Sequence, residues 1–312
     1  MAVSIYEKDY APFGRVLAME NDFVELYVTL DFGPRIIRFA VRGGENFMFE
    51  DKNAEVLNNG PKYDKYFGKG SYWRTYGGHR IWLTPEIEPN TYYPDHDPVE
   101  YTVEGNSATF MPPEQKKNQV IETLTVTLEE NDGVAEVTAK ATNTASVPQT
   151  FGLWQISVMC AGGLGIFPQN TRDNGLLHNR TLSLWSYADM SDPRVCWGKE
   201  LISVQQDVNV DHAFKIGAPN ERGWLGYLCH NALFVKRFPY FAGSAYPDDG
   251  CNSELYTNPK FLEIESLSKL SPVNPGETIC ASEVWSLTPD VAPVCGKDMA
   301  ALEKLVAEYI EE

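Results

Sequence analysis

The chain has 312 residues and a formal net charge of −17 at pH 7. This charge repels phosphate backbones and anionic lipid surfaces, so neither nucleic acid nor a membrane is expected as a partner. The six cysteines show no CxxC spacing, and the sequence supplies no clustered set of cysteines and histidines of the kind a zinc site needs. The sequence therefore predicts free thiols, with no metal site and no cofactor.

The first residues lack the basic region and apolar stretch of a signal peptide, and no window is apolar over a length that spans a bilayer. A soluble, cytoplasmic protein is therefore expected. We find no internal repeat, low-complexity segment or composition break along the chain. This continuity predicts one domain over residues 1–312, since all-β sandwiches reach this length as single units. The sequence leaves the oligomeric state open.

Alternation of apolar and polar residues predicts β-strands in the first part of the chain. Residues 23–30 and 35–41 alternate on either side of a turn at residues 31–34. Residues 51–71 are rich in Asn, Gly, Lys and Tyr, and we interpret them as a long loop. The pattern is typical of an antiparallel meander.

Residues 72–88 combine several kinds of side chain in what we interpret as a functional loop. Gly77 and Gly78 permit a tight backbone, and His79, Arg80 and Trp82 follow closely. Loops that carry aromatic and ionisable groups together are common sites of function. The alternative is that Trp82 belongs to the core and that His79 and Arg80 form a solvated corner.

The middle of the chain predicts further antiparallel strands. Residues 121–128 and 134–141 alternate on either side of Asn131-Asp132-Gly133, a strong hairpin signal. Residues 149–159 form a strand that contains Trp154 and Gln155. Residues 223–238 predict a hairpin that ends in Lys236 and Arg237, two cations that either complete a polar site or balance the negative field.

The last strands contain a pair of acids in an unusual position. Glu263 and Glu265 alternate with Leu262 and Ile264, so both carboxylates lie on one face of a sheet. We expect the apolar residues, with Leu267, to take the packed side and the acids to face a cleft. A solvated acidic face is the alternative. After the returning strand, residues 297–310 have the spacing of one amphipathic helix.

Several segments in this order resemble a known superfamily. Residues 30–37 (LDFGPRII) and Leu262-Glu263 followed by Pro275-Gly276-Glu277 are similar to aldose 1-epimerases, the galactose mutarotases. GGHRIWLTPE at residues 77–86, GLWQISVM at 152–159, and FLEIES, NPGE and EVWSL near the end resemble the DUF4380 branch of that superfamily. The resemblance implies an all-β supersandwich of antiparallel sheets, with a sugar-sized cleft and one C-terminal helix.

The resemblance also implies candidate site residues for a small carbohydrate. Glu263 matches the catalytic glutamate of the C-terminal Leu-Glu motif, with Glu265 a close second. Mutarotases also use a histidine, but the strand where it is expected contains Trp154 and Gln155 instead. His79 is then the candidate general acid. The candidate substrate-binding residues are Arg74, Arg80, Trp82, Trp154, Gln155, Lys236 and Arg237.

Two functions follow from these residues. In the first, the protein interconverts the anomers of a free aldose, with one glutamate as base and His79 as acid. In the second, it binds a sugar without catalysis, with Trp82 and Trp154 stacked on the sugar ring. The distance between His79 and Glu263 discriminates between them, and a sequence cannot give it.

Overall fold

The computed structural model describes residues 2–311. The strands of its first half are β1 (Ser4–Asp9), β2 (Arg15–Glu20), β3 (Val24–Thr29), β4 (Ile36–Val41), β5 (Leu57–Asn58), β6 (Trp73–Arg74), β7 (Gly78–Thr84), β8 (Glu100–Glu104), β9 (Ser107–Met111), β10 (Val120–Leu128), β11 (Val134–Asn143) and β12 (Gln149–Met159). The remaining strands are β13 (Leu164–Pro168), β14 (Ser183–Leu184), β15 (Val195–Trp197), β16 (Leu201–Gln205), β17 (Phe214–Ala218), β18 (Trp224–Cys229), β19 (Ala232–Arg237), β20 (Ser253–Thr257), β21 (Leu262–Leu267), β22 (Ser271–Val273) and β23 (Thr278–Pro289). The helices are α1 (Pro61–Phe67) and α2 (Met299–Tyr309).

The strands form two large sheets that pack face to face. Sheet 1 has 11 strands, in the order β1-β2-β3-β4-β7-β12-β21-β20-β17-β14, with β22 paired to β12. Sheet 2 has 10 strands, in the order β15-β16-β13-β18-β19-β23-β11-β10-β9-β8. The short strands β5 and β6 pair separately. This confirms the predicted all-β sandwich of antiparallel sheets.

The main core lies between the two sheets. The contacts between them include Phe39 of sheet 1 against Phe234 and Trp285 of sheet 2, with ring centroids 5.8 and 5.6 Å apart. We call the face of sheet 1 that meets sheet 2 its inner face, and the opposite face its outer face. The outer face carries a second cluster of buried residues, which includes Trp73, Trp82 and Trp154. The central strands are therefore buried on both sides.

The C-terminal helix is confirmed within the predicted range. Asp298 caps α2, because its carboxylate accepts a hydrogen bond of 3.1 Å from the backbone N–H of Ala301. Leu302, Leu305 and Val306 pack on sheet 2 as the amphipathic spacing predicts.

Helix α1 lies in residues 51–71, which the sequence predicts as loop. It has seven residues and buries only Tyr63, so it is too short to show a helical period. Pro61 stands in its first turn, where the missing N–H costs nothing. Neither helix of residues 2–311 has the length and apolarity needed to cross a membrane.

Candidate functional site

Strands β7, β12 and β21 lie side by side in sheet 1 and bring the candidate residues together on its outer face. Ile156 of β12 pairs with Arg80 of β7 on one side and with Glu265 of β21 on the other. Trp82 and Trp154 are opposite each other in the same ladder, with ring centroids 5.5 Å apart. Because side chains alternate along a strand, these groups and Glu263 share one face.

Two glycines let the start of β7 pass close to its neighbours. Gly77 and Gly78 have φ angles of +104° and +70°. A Cβ at Gly77 would lie 2.0 Å from the carbonyl oxygen of Phe49, and one at Gly78 would lie 2.4 Å from that of Ile36. No other residue type fits both positions without a backbone shift. The middle of the segment predicted as a functional loop is therefore strand β7, with Gly77 just before it and Gly78 as its first residue.

Arg80 joins the aromatic part of the outer face to its acids. Its Nη2 donates to Oε1 of Glu263 at 3.1 Å. The guanidinium lies 4.2 Å from the Trp82 ring centroid and 5.3 Å from that of Trp73. Arg80 is only 3% exposed, yet its Nε and Nη1 have no hydrogen-bond partner within the protein. These donors are free for another partner on this face.

Glu265 takes part in a second polar cluster, with residues that sequence reasoning missed. Lys215 Nζ lies 2.6 Å from Oε2 of Glu254 and 3.0 Å from Oε2 of Glu265. The Trp154 indole N–H also donates to Oε2 of Glu265, at 2.7 Å. The Lys215 ammonium lies over the rings of Trp154 and Trp185, 4.7 and 4.6 Å from their centroids. The sequence signal of this cluster is weak: Lys215 is the one charged residue of β17, and Glu254 is the one charged residue of β20.

Three carboxyl groups and two cations are buried together on this part of the outer face. They are Glu254, Glu263, Glu265, Arg80 and Lys215. Burial raises the pKa of Glu254 well above its usual value, although Lys215 opposes this. Burial also raises the pKa of Glu263, against the effect of Arg80. For Lys215, burial lowers the pKa, but Glu254 and Glu265 outweigh it and the net shift is upward. Burial thus favours the neutral forms of Glu254 and Glu263, and the nearby cations oppose it.

Aromatic rings surround the acid that is nearest to solvent. Glu263 keeps 12% of its side chain exposed, whereas Glu265 has 0%. Tyr256 pairs with Glu263 across strands β20 and β21, and its ring centroid lies 6.4 Å from that of Tyr187, which is 46% exposed. Trp82 also contacts Tyr92, with centroids 4.7 Å apart. A ligand that approaches between these rings meets Glu263 first.

His79 does not lie with Glu263, which corrects the expectation that the two share a cleft. The side chain of His79 lies on the inner face of sheet 1, where it is fully buried. Its Nδ1 lies 3.0 Å from Oγ of Ser157. Its ring contacts Trp285 of sheet 2 with centroids 4.9 Å apart. Burial and the nearby Lys236 lower its pKa well below the usual value, so the imidazole is neutral.

Four other candidate residues have their contacts elsewhere, with groups other than Arg80 and Glu263. Gln155 and Lys236 are between the sheets, where Lys236 Nζ lies 3.0 Å from Oε1 of Glu283. Arg237 donates to Oγ of Ser286 and to the Ile310 carbonyl, each at 3.2 Å. The guanidinium of Arg74 lies 4.6 Å from the Tyr76 ring centroid and donates to the Asp51 carbonyl.

One apolar residue of β21 was assigned to the wrong side. Leu262 and Ile264 pack in the main core as expected. Leu267 belongs instead to the outer-face cluster with Trp82 and Trp154. It stands two residues after Glu265, so the period of two places it on the same face as the acids.

Comparisons with known proteins find the fold and no close relative. No family model and no curated protein matches the chain. A TPR-domain containing protein from Parabacteroides distasonis superposes with a TM-score of 0.59 and 13% identity, over 91% of this chain and 48% of that one. The chain thus spans about half the length of that protein.

Two smaller proteins match over nearly their whole length. Galactose mutarotase-like proteins from Lactobacillus casei and Clostridium acetobutylicum each have a TM-score of 0.53, with 12% and 9% identity. The matches cover 87% and 92% of this chain and 99% of each of the others. Identities this low establish the fold alone, and the chain therefore has the galactose mutarotase-like sandwich fold.

Proposed function

We propose that this protein binds a small, uncharged carbohydrate on the outer face of sheet 1, at Arg80, Glu263 and Glu265. The observation that carries this proposal is a set of unused hydrogen-bonding atoms beside indole rings. Arg80 Nε and Nη1 and Glu265 Oε1 are buried and have no partner within the protein. Buried polar groups are rarely left unpaired, so a ligand with hydroxyl groups is a natural partner for them.

A sugar matches both parts of this surface. Its hydroxyl groups donate to carboxylates and accept from a guanidinium, and its C–H faces pack on aromatic rings. Trp82 and Trp154 lie next to the polar atoms with 7% and 5% exposure, and the ring of Tyr187, which is 46% exposed, lies at the edge of the same cluster. Three carboxyl groups against two cations, Arg80 and Lys215, disfavour a phosphorylated sugar.

Anomer interconversion at Glu263 is the second candidate function. Its support is the burial that raises the pKa of Glu263, which brings the carboxylate closer to the basicity needed at neutral pH. The acid in such a reaction would not be His79, because that residue lies on the other face of β7. The imidazoles of His212 and His230 lie elsewhere too, at Asp192 and Cys160.

The test combines a binding and a rate measurement on the same protein. Glucose, galactose and other neutral aldoses are titrated while Trp fluorescence is followed, and anomer exchange is measured by polarimetry. We expect saturable binding that weakens at least tenfold in Arg80→Met and Glu263→Gln. Glu303→Gln, on the exposed side of α2, is the matched control and should bind as the wild type does.

The two candidate functions predict different rates of anomer exchange. A rate above background that Glu263→Gln abolishes supports anomer interconversion. Binding with no rate above background supports the non-catalytic function. If none of the aldoses binds, or if binding survives in both variants of the outer face, the proposed site is wrong.

The branch of the superfamily and the cellular location are proposals as well. Membership of the DUF4380 branch is supported by the motifs at residues 77–86 and 152–159, and by the mutarotase-like fold. A cytoplasmic location, and the absence of nucleic acid and membrane partners, stay predictions from the sequence.

A further inference from the structure

We propose that Cys160, Cys229 and His230 form a binding site for a zinc ion, independent of the carbohydrate site. The sequence predicts no metal site, since Cys160 and Cys229 are 69 positions apart. The fold nevertheless brings one ligand atom from each of the three residues to within 4.8 Å of the others. The three residues come together in the folded chain although Cys160 is far from Cys229 and His230 in the sequence.

The separations of the three ligand atoms match a tetrahedral zinc site. Zinc binds thiolate sulfur at about 2.3 Å and imidazole nitrogen at about 2.0–2.1 Å, so tetrahedral angles place two sulfurs about 3.8 Å apart and a sulfur and a nitrogen about 3.6 Å apart. Sγ of Cys160 lies 3.7 Å from Sγ of Cys229 and 3.3 Å from Nε2 of His230. These two separations are within about 0.3 Å of the tetrahedral values, and the third, between Cys229 and His230, is at most 4.8 Å.

The backbone holds the ligands in place from two sides. Cys229 ends β18, and His230 and Asn231 form the two-residue turn to β19, with φ angles of 51° and 53°. These positive angles are those of a type I′ hairpin turn, which fixes the direction of the His230 side chain. On the other side, the backbone N–H of Cys160 donates to the Phe47 carbonyl at 2.8 Å.

Two aromatic residues support the same arrangement. The Tyr227 hydroxyl donates to the carbonyl of Cys160 and accepts from the backbone N–H of Gly163 at 3.0 Å. The Phe47 ring packs on the edge of His230, with centroids 5.6 Å apart. A site that is already arranged loses little entropy when the cation binds.

The donor set and the exposure of the site select the kind of cation. Thiolate and imidazole ligands favour zinc or copper(I), while calcium and magnesium require oxygen ligands. Binding of Zn²⁺ releases one proton from each thiol to solvent, and the two thiolates then neutralise the charge of the ion. Both cysteines are half-buried and His230 is exposed, so water can occupy the fourth position.

The first test uses cobalt(II) as a spectroscopic probe for the zinc site. The reduced, chelator-treated full chain is titrated with Co²⁺ without oxygen, and Zn²⁺ is then added. We expect one equivalent of Co²⁺ with a sulfur-to-metal charge-transfer band and a tetrahedral ligand-field spectrum, both lost when Zn²⁺ displaces it. Cys160→Ser and Cys229→Ser should each remove the band, and the exposed control Cys280→Ser should keep it.

A second test needs no variant and so is independent of folding defects. The wild-type protein is alkylated with iodoacetamide, with and without Zn²⁺, and each cysteine is quantified by peptide mass spectrometry. Zinc should protect Cys160 and Cys229 at least tenfold and leave the exposed Cys280 and Cys295 unprotected. Equal alkylation of all four, or a Cys160–Cys229 disulfide in the zinc-treated protein, would overturn the proposal. A Co²⁺ band that persists in both serine variants would overturn it as well.

Discussion

Arg80 and Glu263 are 183 residues apart in the sequence and form an ion pair of 3.1 Å on the outer face of sheet 1. Strand β12 lies between their two strands and sets their spacing through its pairings with β7 and β21. The side chains of both residues are nearly buried, with 4% and 12% exposed. Such a pair is sensitive to the loss of either partner, because the remaining charge is left without compensation.

Removal of Arg80 should therefore destabilise the fold more than removal of both charges. We expect Arg80→Met to lower the free energy of unfolding by about 3 kcal/mol, and Arg80→Met with Glu263→Gln to recover at least half of that loss. Urea denaturation of the two single variants and the double variant measures this coupling. Additive losses in the double variant would show that the pair contributes no coupling energy.

Lys215 should stabilise the fold more at high pH than at low pH. It neutralises Glu254 and Glu265, and burial raises the pKa of Glu254, so acid can protonate that carboxyl in place of the lost cation. Lys215→Met should cost about 3–5 kcal/mol of stability at pH 8 and distinctly less at pH 5. Thermal denaturation at the two pH values checks this, and an equal loss at both would contradict it.

His79 should act as a structural residue. It is fully buried between the sheets, in contact with Ser157 and Trp285. His79→Ala should lower stability by about 2–4 kcal/mol, because it leaves a cavity and an unpaired Ser157 hydroxyl. The affinity of the folded variant for a sugar should stay within about twofold of the wild type, while a direct role in binding would lower it tenfold or more. Fluorescence titration below the melting temperature separates the two outcomes.

Glu122 should make the protein less stable as the pH rises. Burial, with help from the charge of Asp95, raises the pKa of Glu122 from 4.5 to about 8. Between these pH values the unfolded chain loses the proton that the folded protein retains, so the free energy of unfolding falls as the pH increases. The contribution is complete below pH 4.5 and lost above pH 8.

Glu122→Gln removes this dependence. The variant should exceed the wild type in stability at pH 8 by about 4 kcal/mol and should match it near pH 4.5. Melting temperatures from circular dichroism at the two pH values measure the difference. The same gap between the two proteins at both pH values would mean that Glu122 does not titrate as its burial indicates.

The period of two along β21 is visible in the sequence, and it correctly places Glu263 and Glu265 on one face. The same rule separates His79 from Arg80, but the composition of residues 72–88 predicts a loop, to which no period applies. Paired glycines and a mixture of polar and aromatic residues are typical of loops. Here the glycines serve close backbone approach, and the mixture arises because β7 faces the main core on one side and the outer-face cluster on the other.

Local periods of 2 or 3.6 residues are enough to predict the strand-rich fold, the C-terminal helix and the shared face of two acids. The cations that meet those acids could not be predicted in this way, because Arg80 and Lys215 reach them through strand pairings that no local pattern encodes. The same holds for Cys160 and Cys229. Their sulfurs meet because Cys160 directly follows β12 and Cys229 ends β18 in the opposite sheet, and packing of the sheets sets that distance.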